Sequence, residues 1–375
     1  MKEYGIVVGK FYPLHIGHVN LIQRASTLCK KVIVIVSHHE ARDQALYLDS
    51  NLKRPLTGKD KLAIVQKTFQ NQRDLIIPIL VDESDVPSYP NGWQPWSDLV
   101  KESISNHRKV PKDFSFDKAV FFINEDSDVE GYKKYFGSDV VLLDQDRSEV
   151  NISATKVRND PYKYWDFIPR ASRELLVPKI VIAGGESSGK TIMTDRLSQL
   201  YATTSVWEYG RTITETELGG DESALQYKHY ADIVSGHYQD LKFAATNANK
   251  VLFSDTDFVA TQAFCMTYEG RQHPSVQDKI ENVRFDLTIL LNNNVEWVDD
   301  GMRMIGEETE RQKFQTLLKS LYIVNNIPFV EISASDYEVR YEVCKMVVKE
   351  FLENNITIQE LQKKVNEMES NWEWK

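Results

Sequence analysis

Two glycine-rich segments of this 375-residue chain carry side chains suited to handling phosphate. The first is Gly9-Lys10-Phe11-Tyr12-Pro13-Leu14-His15-Ile16-Gly17-His18, directly after an apolar run. Two histidines three apart on an opening helical turn share one face. Their imidazoles can donate to the phosphates of ATP and stabilise the charge that grows as pyrophosphate leaves. Gly17 lets those phosphates approach the helix N-terminus, whose dipole favours anions. The second is Gly184-Gly185-Glu186-Ser187-Ser188-Gly189-Lys190-Thr191, a complete G-x-x-x-x-G-K-[ST] pattern between a buried apolar run and a helical stretch over 192–201. Its backbone N–H groups fold around phosphate, Lys190 neutralises the β- and γ-phosphates, and Thr191 is placed to ligate Mg²⁺.

Each segment has companions. Ile152-Ser153-Ala154-Thr155-Lys156-Val157-Arg158 offers a helix cap, hydroxyl donors and positive charge, and pairs with the two histidines as a nucleotidyltransferase signature. Asn124, at the end of a strand, can contact an adenosine or simply turn the chain. Trp93 and Trp96, in Tyr89-Pro90-Asn91-Gly92-Trp93-Gln94-Pro95-Trp96, can stack on a cationic ring; packing is the equal alternative.

The P-loop is followed by Trp207-Glu208-Tyr209-Gly210-Arg211, an acid, an aromatic and a base at the edge where open α/β sheets bind ligands. Glu208 can accept a hydroxyl proton or hold a ribose, and Arg211 can meet the transferring phosphate; a plain ion pair is the other reading. Ser254-Asp255-Thr256-Asp257 puts carboxylates where Mg²⁺ or its water would sit, although a helix-capping turn also fits. Residues 297–306 followed by Arg311 have two glycine hinges, so Arg303 and Arg311 are expected to close over ATP. A surface loop with ordinary ion pairs remains open. No Asn-Lys-x-Asp guanine signature follows the fourth strand of this half, where Asn292-Asn293-Asn294 stands. That favours a small-molecule kinase over a GTP switch.

These side chains need scaffolds. In the first half, apolar runs at 5–8, 32–36, 76–81, 119–123 and 140–143 alternate with helical patterns such as Leu21, Ile22, Ala25, Leu28 and Leu62, Ile64, Val65, Phe69. Val32-Ile33-Val34-Ile35-Val36 is apolar at every position, as a parallel strand covered on both faces requires. A second series lies at 180–183, 206, 251–253, 287–291 and 329–332. The fold class is α/β: a Rossmann-like nucleotidyltransferase sheet over residues 1–172, then a P-loop kinase sheet over 173–375, the boundary being good to about five residues. From Asn354 onward a terminal helix is expected, with Trp372 and Trp374 guessed to pack.

Composition sets outer limits. With 42% apolar and 27% charged residues the chain is globular, and its length suits two domains. Lys and Arg total 45 against 55 Asp and Glu, and the resulting −10 has the wrong sign for a general nucleic-acid binder. No apolar run approaches the ~20 residues of a membrane span. Met1-Lys2-Glu3-Tyr4 leads straight into a strand without a signal peptide, and the three cysteines show no CxxC, so a reduced cytoplasmic enzyme is expected.

Taken in order, these motifs resemble the bifunctional NadR family, a nicotinamide-nucleotide adenylyltransferase fused to a ribosylnicotinamide kinase. The resemblance implies ATP contacts in the first half from Gly9, Lys10, Phe11, His15, His18, Asn124, Ile152, Ser153, Thr155 and Arg158, with nicotinamide mononucleotide (NMN) against Trp93 and Trp96. In the second half it implies ATP on residues 184–191 with Arg303 and Arg311, and ribosylnicotinamide on Glu208, Tyr209, Arg211, Asp255 and Asp257. Glu208 is the expected base, and Mg²⁺ is expected on Thr191 and Asp255. A homo-oligomer and coupling to a nicotinamide-riboside transporter are further implications. Some members carry an N-terminal helix-turn-helix repressor module. Here the first strand starts near residue 4, so no repressor role is expected.

Other readings stay open. His-Ile-Gly-His also occurs in class I aminoacyl-tRNA synthetases, but Lys-Met-Ser-Lys-Ser is missing, the first half is short and the charge opposes tRNA. An adenylyl- or cytidylyltransferase fused to a different kinase, in coenzyme A or flavin synthesis, is the main alternative. A sensor that binds NAD and ATP without turnover is another.

Overall fold

The computed structural model describes residues 2–87, 91–124, 126–143, 148–296 and 307–372. The chain forms two compact units, Met1–Leu176 and Val177–Lys375. The division falls after Leu176, and the helix Arg170–Leu176 belongs wholly to the first unit. Arg173 donates to the carbonyls of Ile168 at 3.0 Å and Trp165 at 3.2 Å, and Lys67 forms an ion pair with Glu174.

The first unit is built on β1 (Lys2–Gly9), β2 (Cys29–His38), β3 (Ile76–Asp82), β4 (Ala119–Ile123) and β5 (Asp139–Leu142), all parallel, in the order β3-β2-β1-β4-β5. Val32 through Val36 are 0% exposed, as their unbroken apolar run requires. Of the helical pattern at 21–28, Leu21, Ile22 and Ala25 are buried, whereas Leu28 is exposed at the helix end. Strand order reverses about β1, and the crevice beyond the carboxyl ends there is where open sheets bind ligands. Gly9 and the two histidines follow β1 into that crevice.

The second unit repeats the logic with a different order. β6 (Lys179–Gly184), β7 (Ser205–Val206), β8 (Leu252–Asp255), β9 (Leu287–Leu291) and β10 (Val330–Ile332) are parallel and lie β10-β9-β6-β8-β7. β6 is central, and its last residue opens the P-loop. The C-terminal region is broken at Asn354: the helix Tyr337–Glu353 ends there, and a second helix, Ile358–Ser370, starts on a Thr357–Glu360 capping box. Leu361 and Val365, four apart, are buried. Trp372 is half-buried, and Trp374 lies outside the described residues. No described helix is long and apolar enough to cross a membrane.

Candidate active sites

In the first unit the phosphate motif is shaped by tight backbone approach. A side chain on Gly9 would meet the Phe11 ring at 2.6 Å, and one on Gly17 would meet the His15 ring at 3.0 Å. Phe11 itself takes φ +46°, a strained value for a bulky residue. His15 caps the helix Ile16–Leu28: its Nδ1 accepts the His18 backbone N–H at 3.4 Å, while His18 Nδ1 accepts the His15 backbone N–H at 3.3 Å. Across the crevice Ser153 caps the short helix Ala154–Asn159 by accepting the Lys156 N–H at 3.2 Å. Arg158 ties the two elements together, donating to the Tyr12 carbonyl at 2.8 Å and to Thr155 Oγ1 at 3.1 Å.

The twelve first-unit residues that the resemblance implies as contacts line one cleft of about 740 Å³: Gly9, Lys10, Phe11, His15, His18, Trp93, Trp96, Asn124, Ile152, Ser153, Thr155 and Arg158. That is the size range of a nucleotide site. Asn124 Oδ1 is buried there without a partner, an acceptor waiting for a donor. Both indoles also pack. Trp93 stacks on Tyr135 with centroids 5.8 Å apart, and a side chain on Gly131 would meet its ring at 2.4 Å. Trp96 Nε1 donates to Glu83 Oε2 at 2.8 Å. The aromatic cluster is therefore a braced wall of the cleft. Tyr89 and Pro90 lie outside the described residues.

The sequence reading missed the polar group that adjoins this wall. Ser37 donates to Glu83 at 2.5 Å, and Arg42 pairs with Glu83 and with Asp43. Behind them Lys61 is 0% exposed and bonds Asp43 and the Ser37 carbonyl. Burial alone would raise the Asp43 carboxyl; the bond to Lys61 and the charges of Lys61 and Arg42 outweigh it and hold the group below its usual range. A usable signal existed: Ser37 and Glu83 stand at carboxyl ends of strands, as Asn124 does.

In the second unit Ser187 takes φ +58° and Gly189 φ +84° as the P-loop turns into the helix Lys190–Leu200. A side chain on Gly184 would meet Ser188 Oγ at 2.5 Å and the Leu291 carbonyl at 2.9 Å. Lys190 is buried, 3.4 Å from Glu208. Burial would lower its ammonium, but Glu208, Asp255 and Glu186 more than offset that and hold it above its ordinary value. Asp255, at the end of β8, is pushed up to about 6 by burial, against the pull of Lys190, and Thr191 hydrogen-bonds it.

Glu186, Lys190, Glu208 and Arg211 share a narrow cavity of about 30 Å³ with Glu222. An adjoining one of similar size, with aromatic walls, takes in Glu208, Tyr209 and Glu222. Burial, then the charges of Glu186 and Glu208, push Glu222 up to about 7. Burial pulls His237, on the second cavity, down to about 4. Glu222, Tyr230 and Tyr268 carried no motif and went unseen, although Tyr268 donates to Glu186 at 2.5 Å. Arg340 was also missed. It is fully buried and donates to the Ser188 carbonyl at 2.7 Å, to the Ala334 carbonyl and to Asn294.

Two expected roles need correction. Asp257 caps the helix Phe258–Glu269, accepting the Ala260 N–H at 2.9 Å and the Tyr322 hydroxyl at 3.0 Å. It lines a different cavity from Glu208, among apolar residues, and burial pushes it up to about 6. Its lone pairs serve the fold. Arg311 is buried on the helix Glu308–Val324 and donates to the carbonyls of Asn293 at 2.8 Å and Val295 at 3.0 Å. It braces the chain after β9 instead of reaching over the P-loop. Arg303, with the rest of 297–306, lies outside the described residues.

Among the described residues no group of three His, Cys, Asp or Glu is arranged to hold a metal. A P-loop cation needs none, since hydroxyl, carboxylate and phosphate oxygens share it. The Thr191–Asp255 pair is an all-oxygen donor set that fits it.

Residues 6–160 match a cytidylyltransferase-like family, and residues 179–340 match an AAA domain. The chain is 42% identical over 351 residues to the trifunctional NAD biosynthesis/regulator protein NadR of Salmonella typhimurium, covering 94% of this chain and 84% of that protein. The Escherichia coli protein of the same description matches equally. A crystal structure of a NadR protein in complex with NAD and AMP-PNP superposes with a TM-score of 0.76 at 24% identity, covering 95% of this chain and 98% of that one. This last likeness concerns the fold.

Proposed function

The chain belongs to the NadR family of NAD biosynthesis proteins, and from that premise we propose that it makes NAD in two ATP-dependent steps. The second unit phosphorylates ribosylnicotinamide to NMN, and the first unit joins NMN to the adenylyl group of a second ATP. The observation that carries this reading is the gathering of the twelve implied first-unit contacts around one cleft, in a chain that also holds a complete P-loop.

In the kinase step the 5′-hydroxyl oxygen attacks the γ-phosphorus and the bond to the β-bridging oxygen breaks, releasing ADP. Glu208 takes the hydroxyl proton in this reading, which its position 3.4 Å from Lys190 of the P-loop supports. Arg211 lines the same cavity and can share the transferring charge. Mg²⁺, when bound with ATP, neutralises phosphate charge. Thr191 and Asp255 are the residues that would hold it.

In the adenylyl step a phosphate oxygen of NMN attacks the α-phosphorus of ATP and pyrophosphate leaves. That nucleophile, with a second pKa of ~6, is ionised at neutral pH and needs no base. Positioning and charge stabilisation by His15, His18 and the Ser153–Arg158 region carry the step. The braced indoles of Trp93 and Trp96 support a place for the nicotinamide ring.

Family resemblance further supports a cytoplasmic homo-oligomer coupled to nucleoside import. Purified protein with Mg-ATP and ribosylnicotinamide should form NMN, then NAD and pyrophosphate. Turnover of another nucleoside or mononucleotide with none of these would favour a different fused kinase; no turnover at all would favour a sensor.

A further inference from the structure

Glu222 stands at the junction of the two cavities of the second unit and lines both. The first cavity sets Glu186, Glu208 and Glu222 against Lys190 and Arg211, three carboxylates to two cations. Bound triphosphate would engage the cations and leave the carboxylates uncompensated. The second cavity is walled by Tyr209, Tyr230, Phe264 and Tyr268. Tyr230 there is 1% exposed, and its buried hydroxyl has no hydrogen-bond partner. Burying a hydroxyl unpaired is unfavourable, so a guest that accepts from it gains what the empty fold forgoes.

Aromatic faces with a carboxylate beside them are the surroundings that hold an organic cation. A neutral ring of the same outline gains the stacking without the charge. We propose that Glu222 is the residue by which the kinase site selects a positively charged pyridinium nucleoside over a neutral nucleoside of the same shape, with the ring among the aromatic walls and the Tyr230 hydroxyl donating to an oxygen of the nucleoside. The proposal rests on the kinase reading of the second unit. Glu222 sits on a single turn, Glu222–Ala224, that follows Gly219 and Gly220. Both glycines have positive φ and open space around them, and the two cavities, about 30 Å³ each, must widen beside this turn to admit a ring.

The test compares ribosylnicotinamide, which is cationic, with its neutral 1,4-dihydro form, in the full chain and in Glu222→Gln. The wild-type protein should favour the cation. The substitution should lower kcat/KM for the cation about tenfold, the scale of one half-screened charge pair, and leave the neutral form within about twofold. KM for ATP should not move. The readout is the ratio of the two substrates, so a loss of folded fraction in the variant cancels. A ratio unchanged by the substitution, or a wild-type protein with no preference, overturns the proposal while leaving the kinase reading intact. A wild-type protein that phosphorylates neither nucleoside overturns both.

Discussion

His15 and His18 cap each other. Each ring's Nδ1 accepts the other's backbone N–H, at 3.4 and 3.3 Å, and the rings stack with centroids 3.7 Å apart and planes 21° from parallel. An imidazole nitrogen that accepts cannot carry the proton, so in both neutral rings the proton sits on Nε2. The helix cap thereby sets the tautomer, and both Nε2 atoms are donors without any need for a charged ring.

His18→Ala removes one such donor and half of the cap. NMN-to-NAD conversion is expected to fall ~10²–10³-fold, the usual effect of deleting one transition-state donor. Stability of the first unit should drop by only ~1 kcal/mol. Phosphorylation of ribosylnicotinamide, followed separately by NMN formation, should keep its rate. Equal losses in both steps would place His18 outside the adenylyl site.

Lys190→Ala should have the reverse pattern. It strips the buried cation from beside Glu208 and Asp255, so phosphorylation should fall by at least ~10³-fold while NAD formation from supplied NMN continues. Steady-state assay of each half-reaction on the same preparation decides it. Full kinase rates at saturating ATP would remove the P-loop from the mechanism.

The order of elements and both phosphate loops were legible because they rest on local rules: runs such as Val32–Val36 buried on both faces, glycines at close approaches, a lysine after a P-loop. What was not legible was the long-range pairing of polar residues. Asp257 and Asp255 are two apart and chemically alike, yet one turns to Tyr322 and the other to Thr191. Arg311 satisfied the pattern of a closing arginine, but its Nη2 donates to backbone carbonyls that only folding brings near. Arg340 holds the Ser188 carbonyl across 152 residues, a distance no spacing rule spans.

The Lys61–Asp43 pair should govern acid stability of the first unit. Asp43 is held below its ordinary range, so its contribution is complete above ~pH 4 and is lost as pH falls through the lower folded value. Lys61→Met removes the largest cationic partner of a buried carboxylate, but Arg42 and His38 still hold Asp43, so the loss at neutral pH should stay below the ~3–5 kcal/mol of a wholly broken buried pair. The Asp43 carboxyl then rises toward its ordinary range, so as pH falls below ~4 the variant should lose less further stability than the wild-type protein. Calorimetric melts across that range show the contrast; parallel curves would refute it.

Arg340 braces the P-loop from behind. Replacing it by Met leaves the carbonyls of Ser188 and Ala334 without their guanidinium donor, and each buried unsatisfied group is unfavourable by ~1–3 kcal/mol. The second unit should melt lower and KM for ATP should rise severalfold in the kinase assay, with NMN-to-NAD conversion unchanged. An unaltered KM with a lowered Tm would reduce the residue to a support of the fold alone.

Asp255 and Asp257 offer the sharpest separation of site from scaffold. Asp255→Asn keeps size but removes the charge beside Thr191, so phosphorylation should fall ~10²-fold or more, and added Mg²⁺ should not restore it. Asp257→Asn keeps an oxygen that can accept from the Ala260 N–H and the Tyr322 hydroxyl, and asparagine caps helices as well as aspartate does. It also removes a buried charge from a cavity with mostly apolar walls, so kinase rates should stay within about twofold and the melting temperature should hold or rise. A kinase loss from Asp257→Asn as deep as that from Asp255→Asn would return Asp257 to the substrate site, and the capping geometry would then be incidental to its role.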